Sequence, residues 1–102
     1  MTPTARSLKY LRDNGWLADV VERLIPGEMI RKDLYGVGDI LAIRKGGILI
    51  VQTTSGSNVS ARVKKITEHE NMPKIREAGI GIHIHGWRRI KGRWAVRVVD
   101  VS

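Results

Sequence analysis

The chain has 102 residues and no cysteine, which excludes disulfide scaffolds and thiolate metal sites and suits one domain, residues 1–102, with a single core. Lysine and arginine total 18 against 10 acids, a net charge of +8, which points to a polyanionic partner. No run is long enough to span a bilayer and MTPTARSLKY lacks the apolar core of a signal peptide, so the expectation is a cytoplasmic protein with no membrane partner.

The first element reads as a helix over 4–14. Thr2 or Thr4 can cap it, Leu8 and Leu11 form an apolar stripe, and Asn14-Gly15 ends it. WLADVVERLI, 16–25, carries two signals, because its apolar residues follow a helical period while Val20-Val21 favours a strand. Pro26-Gly27 makes a turn, and DLYGVG, 33–38, reads as a loop that sets up the next strand.

Residues 39–44 and 47–53 form an apolar hairpin with Lys45-Gly46 at its tip, and both strands are expected to be buried on both faces. Ser57 or Asn58 caps a helix over about 59–78, interrupted or restarted at Pro73. Ile80, Ile82 and Ile84 alternate with Gly81, His83 and His85, the period of a strand. Trp87, a basic turn RRIKGR and a last strand over 94–101 complete an α/β (α+β) pattern, a mixed four- to five-stranded sheet flanked by helices.

The basic residues border these elements: Arg31-Lys32, Arg44-Lys45, Arg62 with Lys64-Lys65, and Arg88-Arg89-Lys91-Arg93. Charges distributed in this way suit a folded binding face better than a disordered arm. The segment TSGSNVSAR adds Ser55, Ser57 and Asn58, hydroxyl and amide groups that can contact phosphate or simply cap a turn.

Asp39 and Gln52 stand across from each other at the open end of the apolar hairpin. A carboxylate with neutral oxygens and a backbone carbonyl, here that of Thr53, suits a hard cation such as Mg²⁺. Such a site needs a second acid, for which Glu22 and Asp33 are the candidates.

These residues resemble the core of the PD-(D/E)XK nuclease superfamily: Asp39 opening the strand DILAI, then a short turn, then ILIVQTT ending in Gln-X-Thr. Asp39 and Gln52 are thirteen positions apart, an ordinary spacing for the superfamily, and GVGD looks most like small Holliday-junction-resolvase-like or phage-type nucleases. The resemblance implies a restriction-endonuclease-like core and metal-dependent DNA endonuclease activity with Mg²⁺ or Mn²⁺. It also implies DNA, branched or junction-shaped, as substrate, and a homodimer. Asp39, Gln52, Thr53, Glu22 and Asp33 would then hold metal. Thr54 departs from the motif, whose lysine stands there, so Lys64, Lys65 or Arg62 would supply the cation. The departure leaves two alternatives open: a nuclease fold that binds DNA without cutting it, and a basic RNA-binding structural module.

His83 and His85 share one strand face, and a polar sheet face covered by solvent, a helix or DNA accounts for them better than a metal site, which needs three or four ligands. Trp16, Trp87 and Trp94 read as packing residues, and Glu68 and Glu70 as helix-surface partners of Lys64 and Lys65.

Overall fold

The structure, a computed structural model, describes residues 1–102. Thr2 begins the first helix by accepting the Ala5 N–H at 3.1 Å, and Pro3 fits the first turn, where no N–H is needed. Helix α1 runs Pro3–Asp13 and stops at Asn14, followed by Gly15 in the left-handed region at φ 87°.

The ambiguous stretch 16–25 resolves as two strands, β1 (Leu17–Val20) and β2 (Arg23–Ile25). The β-branched pair prevails over the helical period because β1 hydrogen-bonds along the edge of β4, burying Ala18 under α1. Strand β2 pairs only with β3 (Ile30–Lys32), in a small ribbon outside the main sheet.

Strands β4 (Ile40–Arg44) and β5 (Gly47–Ser55) form the expected hairpin, with Ile40 opposite Val51. Their burial differs from the expectation at the tip, where Ile43 and Ile48 are exposed, outside the cluster that α2 and α3 cover. A 3₁₀ turn, Gly56–Asn58, leads into α2 (Val59–Thr67). Asn58 stands at the N-cap position but its side chain bonds to Ser55 Oγ rather than to the helix backbone.

The helix expected over 59–78, interrupted or restarted at Pro73, is two helices, α2 and α3 (Met72–Glu77). Thr67 turns its hydroxyl back onto the Val63 carbonyl, the chain breaks at 68–71, and Pro73 begins the second helix instead of interrupting the first. Strand β6 (Gly81–Ile90) is longer than expected, and β7 is Arg93–Asp100. The basic turn RRIKGR shrinks to Lys91-Gly92, since Arg88, Arg89 and Ile90 pair with Ala95, Trp94 and Arg93.

The main sheet has the order β1-β4-β5-β6-β7, and β5 with β6 is its one parallel pair. Parallel neighbours need a crossover, which residues 56–80 provide with α2 and α3. Each face has its own core. Helix α1 covers Ala18, Ile40, Ala42, Leu49 and Val51 with Leu11, while α2 and α3 bring Ile66, Met72 and Ile75 against Ile50, Ile82 and Ile84. Each fully buried isoleucine contributes about 1.5–3 kcal/mol. Gly86 permits this second layer, because a Cβ there would collide with Val59 Cγ2 as α2 crosses β6. No helix is long and apolar enough to cross a membrane.

Candidate nucleic-acid interface and the Asp39 site

Period two along β5 divides the polar residues at its end. Thr53 lies on the face covered by α1, whereas Gln52 and Thr54 lie on the face covered by α2 and α3. Gly38 lets the chain enter β4 close against β5, since any Cβ there would strike Ile50 Cγ2. Asp39 follows at once, and its carboxylate turns toward Thr53. Oδ1 accepts the Thr53 N–H at 3.2 Å, and Oδ2 accepts the Thr53 hydroxyl at 2.8 Å. Thr4 of α1 also donates to Oδ2 at 3.4 Å and lies 3.0 Å from the Thr53 hydroxyl.

Asp39 is only 6% exposed. Burial is the main reason its pKa rises to about 6, against the opposing pull of the Thr53 hydrogen bonds, and the negative charge of Asp33 pushes in the same direction as burial. Of the two upstream acids, therefore, Asp33 makes itself felt at Asp39. Glu22 lies in the link between β1 and β2, and no hydrogen bond or ion pair ties it to Asp39.

The basic candidates for the missing lysine lie elsewhere. Val59 and Ile66 form the buried side of α2, leaving Lys64 and Lys65 exposed and Arg62 half-buried. Helix α2 packs on the Gln52 face, so the sheet stands between these cations and the carboxylate. Gln52 is buried, and its one side-chain hydrogen bond goes to the Thr53 carbonyl at 3.5 Å. The donor set accordingly does not fit a resident Mg²⁺ or Mn²⁺. A hard cation wants several unengaged oxygens around it. Here one carboxylate is already satisfied by two threonines, Gln52 is on the other face, and no three acids or histidines converge anywhere in the protein.

No protein-family model matches the chain, and no curated relative matches it either.

Ser7 and Tyr10 of α1, to which no sequence motif points, join Thr4 in a polar row under the helix. Ser7, fully buried, accepts the indole N–H of Trp87 at 2.8 Å and contacts His85 Nδ1 at 2.9 Å, and Tyr10 meets both rings edge-on. Burial is the main cause, and the nearby His83 a lesser one, that holds the His85 pKa down near 4, so this ring is neutral. The signal for this row in the sequence is Thr4 and Ser7, polar residues at positions that continue the inward stripe ending at Leu11. His83 meets Asp100 at 3.5 Å. On this polar sheet face His85 is thus buried against α1, while His83 is half-buried.

The phosphate-contact candidates separate into two groups. Arg31 and Lys32 are exposed on the β2–β3 ribbon, where Lys32 borders a cavity of about 560 Å³ also lined by Arg23, Asp33, His69 and Glu70. Both signs of charge line that cavity. Ser55, Ser57, Asn58, Arg88 and Arg89 lie at one end of the main sheet, where Gly56 packs on the exposed Arg88 stem. Asp39 opens β4 at this same end, because β4 runs antiparallel to β5 and β5 parallel to β6. Glu68 and Glu70 make no ion pair with Lys64 or Lys65. The protein's three pairs are Lys9–Asp13, Arg12–Asp19 and His83–Asp100.

Proposed function

We propose that this chain is a DNA-binding domain on a PD-(D/E)XK-like scaffold that holds DNA without cutting it. One observation carries the reading: no acid occurs between Asp39 and Glu68, or between Glu77 and Asp100, and those two stretches supply ten cations. None of the ten is in an ion pair, and apart from Arg44, which the protein itself holds at the Asn14 carbonyl and the Trp16 ring, their charge is available to phosphate. The order helix, three-stranded antiparallel run (β1, β4 and β5), helical crossover and further strand supports the scaffold. The superfamily that the sequence resembles has a core of a helix, a three-stranded meander, a second helix and a further strand. The lack of a lysine at Thr54, and a carboxylate already satisfied by Thr53 and Thr4, support binding without cleavage.

Metal-dependent cleavage, the activity that the resemblance implies, is the second reading. It would need Asp39 to give up its bonds to Thr53 and Thr4, and the charge of Asp33 felt at Asp39 is the one observation on its side. Junction DNA suits a two-fold dimer working in the cytoplasm, because a dimer presents two equivalent surfaces to a symmetric branch.

Purified protein titrated into a labelled duplex, a four-way junction and single-stranded RNA, with and without Mn²⁺, tests these readings. Tighter binding to either DNA than to RNA, weakening steeply with salt and leaving the strands intact, is the expected result. Equal affinity for RNA overturns it in favour of an RNA-binding module. Cleavage that Asp39→Ala abolishes establishes the nuclease.

A further inference from the structure

The last pairing of β5 with β6 is Ser55 with Trp87. Beyond it β6 and β7 continue alone, Arg88, Arg89 and Ile90 paired with Ala95, Trp94 and Arg93, as a two-stranded ribbon that leaves the sheet. At about 3.4 Å per residue the free part projects roughly 10 Å, and two paired strands lie about 4.8 Å apart.

Cations occupy both faces and the tip of this ribbon. Arg89 stands opposite Trp94 on the α1 face, where Arg6 of α1 lies over the Trp94 ring at 3.8 Å. Arg88 is on the other face, against Gly56, and alternation puts Arg93 on that face too. Lys91 is at the turn, held at φ 49° with Gly92 at φ 77°. Both central residues at positive φ make the turn of the type that prefers Asn-Gly, so the tip carries a lysine where the backbone would favour asparagine.

A surface that lay flat on one anionic face, such as a membrane or an acidic protein, would need its cations on one side. Cations on two sides and the end fit a cleft with phosphates along both walls. The major groove of B-form DNA is about 12 Å wide and 8.5 Å deep and admits a two-stranded ribbon. The major groove of A-form RNA is deep and too narrow for side chains to read. We propose that the β6–β7 ribbon enters the major groove of duplex DNA, with Arg88, Arg89 and Arg93 on its two faces against the flanking phosphates and Lys91 at the tip toward the base edges. This inference rests on the DNA-binding reading and adds the element and the groove.

The test is fluorescence anisotropy with a 20-bp DNA duplex and an RNA duplex of the same sequence, over a salt series. The wild-type protein is compared with a variant carrying Arg88→Ser, Arg89→Ser, Lys91→Ser and Arg93→Ser, all exposed positions. The variant is expected to bind DNA about 100-fold more weakly, with a log–log salt slope reduced by about 3, since each phosphate that the ribbon neutralises adds about 0.9 to the slope. Methyl green, a major-groove ligand, should compete with the wild-type protein, and netropsin, a minor-groove ligand, should not.

Unchanged affinity and slope in the variant overturn the ribbon assignment while leaving DNA binding intact. Displacement by netropsin alone overturns the choice of groove, and equal affinity for the RNA duplex overturns the B-form fit. A wild-type protein that binds neither duplex overturns the DNA-binding reading itself.

Discussion

The two hairpins of the sheet turn on the same dipeptide, Lys45-Gly46 in one and Lys91-Gly92 in the other, and point to opposite ends of the molecule. In the first, the cation beside the turn is held by the protein: Arg44 donates to the Asn14 carbonyl and stacks 4.0 Å over Trp16. In the second, no acid pairs with Arg88, Arg89, Lys91 or Arg93. The first hairpin keeps its polar residues at the open end, where Asp39 and Thr53 satisfy each other. The comparison separates charge that maintains the fold from charge left for a partner.

Core truncation breaks the comparison most severely. Ile50→Ala, between β4 and β6 and under Ile66, should cost about 2–5 kcal/mol in urea unfolding, whereas Arg89→Ser on the ribbon should cost less than about 0.5 kcal/mol. Similar losses at both sites would mean that the ribbon is part of the structural core.

The next effect is at the open end of the first hairpin. Folded Asp39 keeps its proton to about pH 6, while in the unfolded chain it ionises near 3.8. The folded state therefore binds the extra proton in between, and this residue's contribution to stability falls as pH rises from about 4 to 6, by roughly 3 kcal/mol at most. His85 works the other way. Neutral down to about pH 4 when folded, it lets the unfolded state gain a proton first as pH drops below about 6.5, which lowers stability. Asp39→Asn keeps an acceptor for the Thr53 N–H and removes the buried charge. It should raise stability at pH 8 by about 2 kcal/mol, with the gain vanishing near pH 4 and the acid sensitivity of His85 uncovered. A pH-independent difference between the two proteins in thermal melts would contradict the assignment.

The smallest effect sharpens the comparison at the second turn. Lys91→Asn suits the positive φ better than lysine and should stabilise by about 0.5 kcal/mol while weakening DNA binding. A change of the same sign in both measurements would remove the argument that the tip trades backbone strain for charge.

Periodicity made much of the fold legible. The alternating isoleucines of β6, the hairpin register that sets Ile40 against Val51, and the cap at Thr2 all follow from local rules. Pro73 marked the restart of the second helix, but the stop of the first at Thr67 and the division of 16–25 into two strands were less legible, because they depend on Thr67 back-bonding and on pairing with β4. At the candidate site, the place of Asp39 at the open end could be read directly. Its partner could not: opposition across the hairpin pointed to Gln52, but a carboxylate opening a strand can swing to the neighbouring N–H, and Thr53 with Thr4 of a distant helix satisfies it. Ser7 was hidden for a related reason, since its role depends on Trp87 and His85, which only the tertiary structure brings near it.

The parallel pairing of β5 with β6 has a consequence for assembly of the chain. Each hairpin closes through a two-residue turn, a fast local event, but aligning Leu49 with Gly81 must wait until the whole intervening helical segment is confined. The molecule is therefore two quickly formed halves joined along one slow seam. Substitutions that loosen that seam should slow refolding, while changes at either Lys-Gly turn should leave its rate nearly untouched.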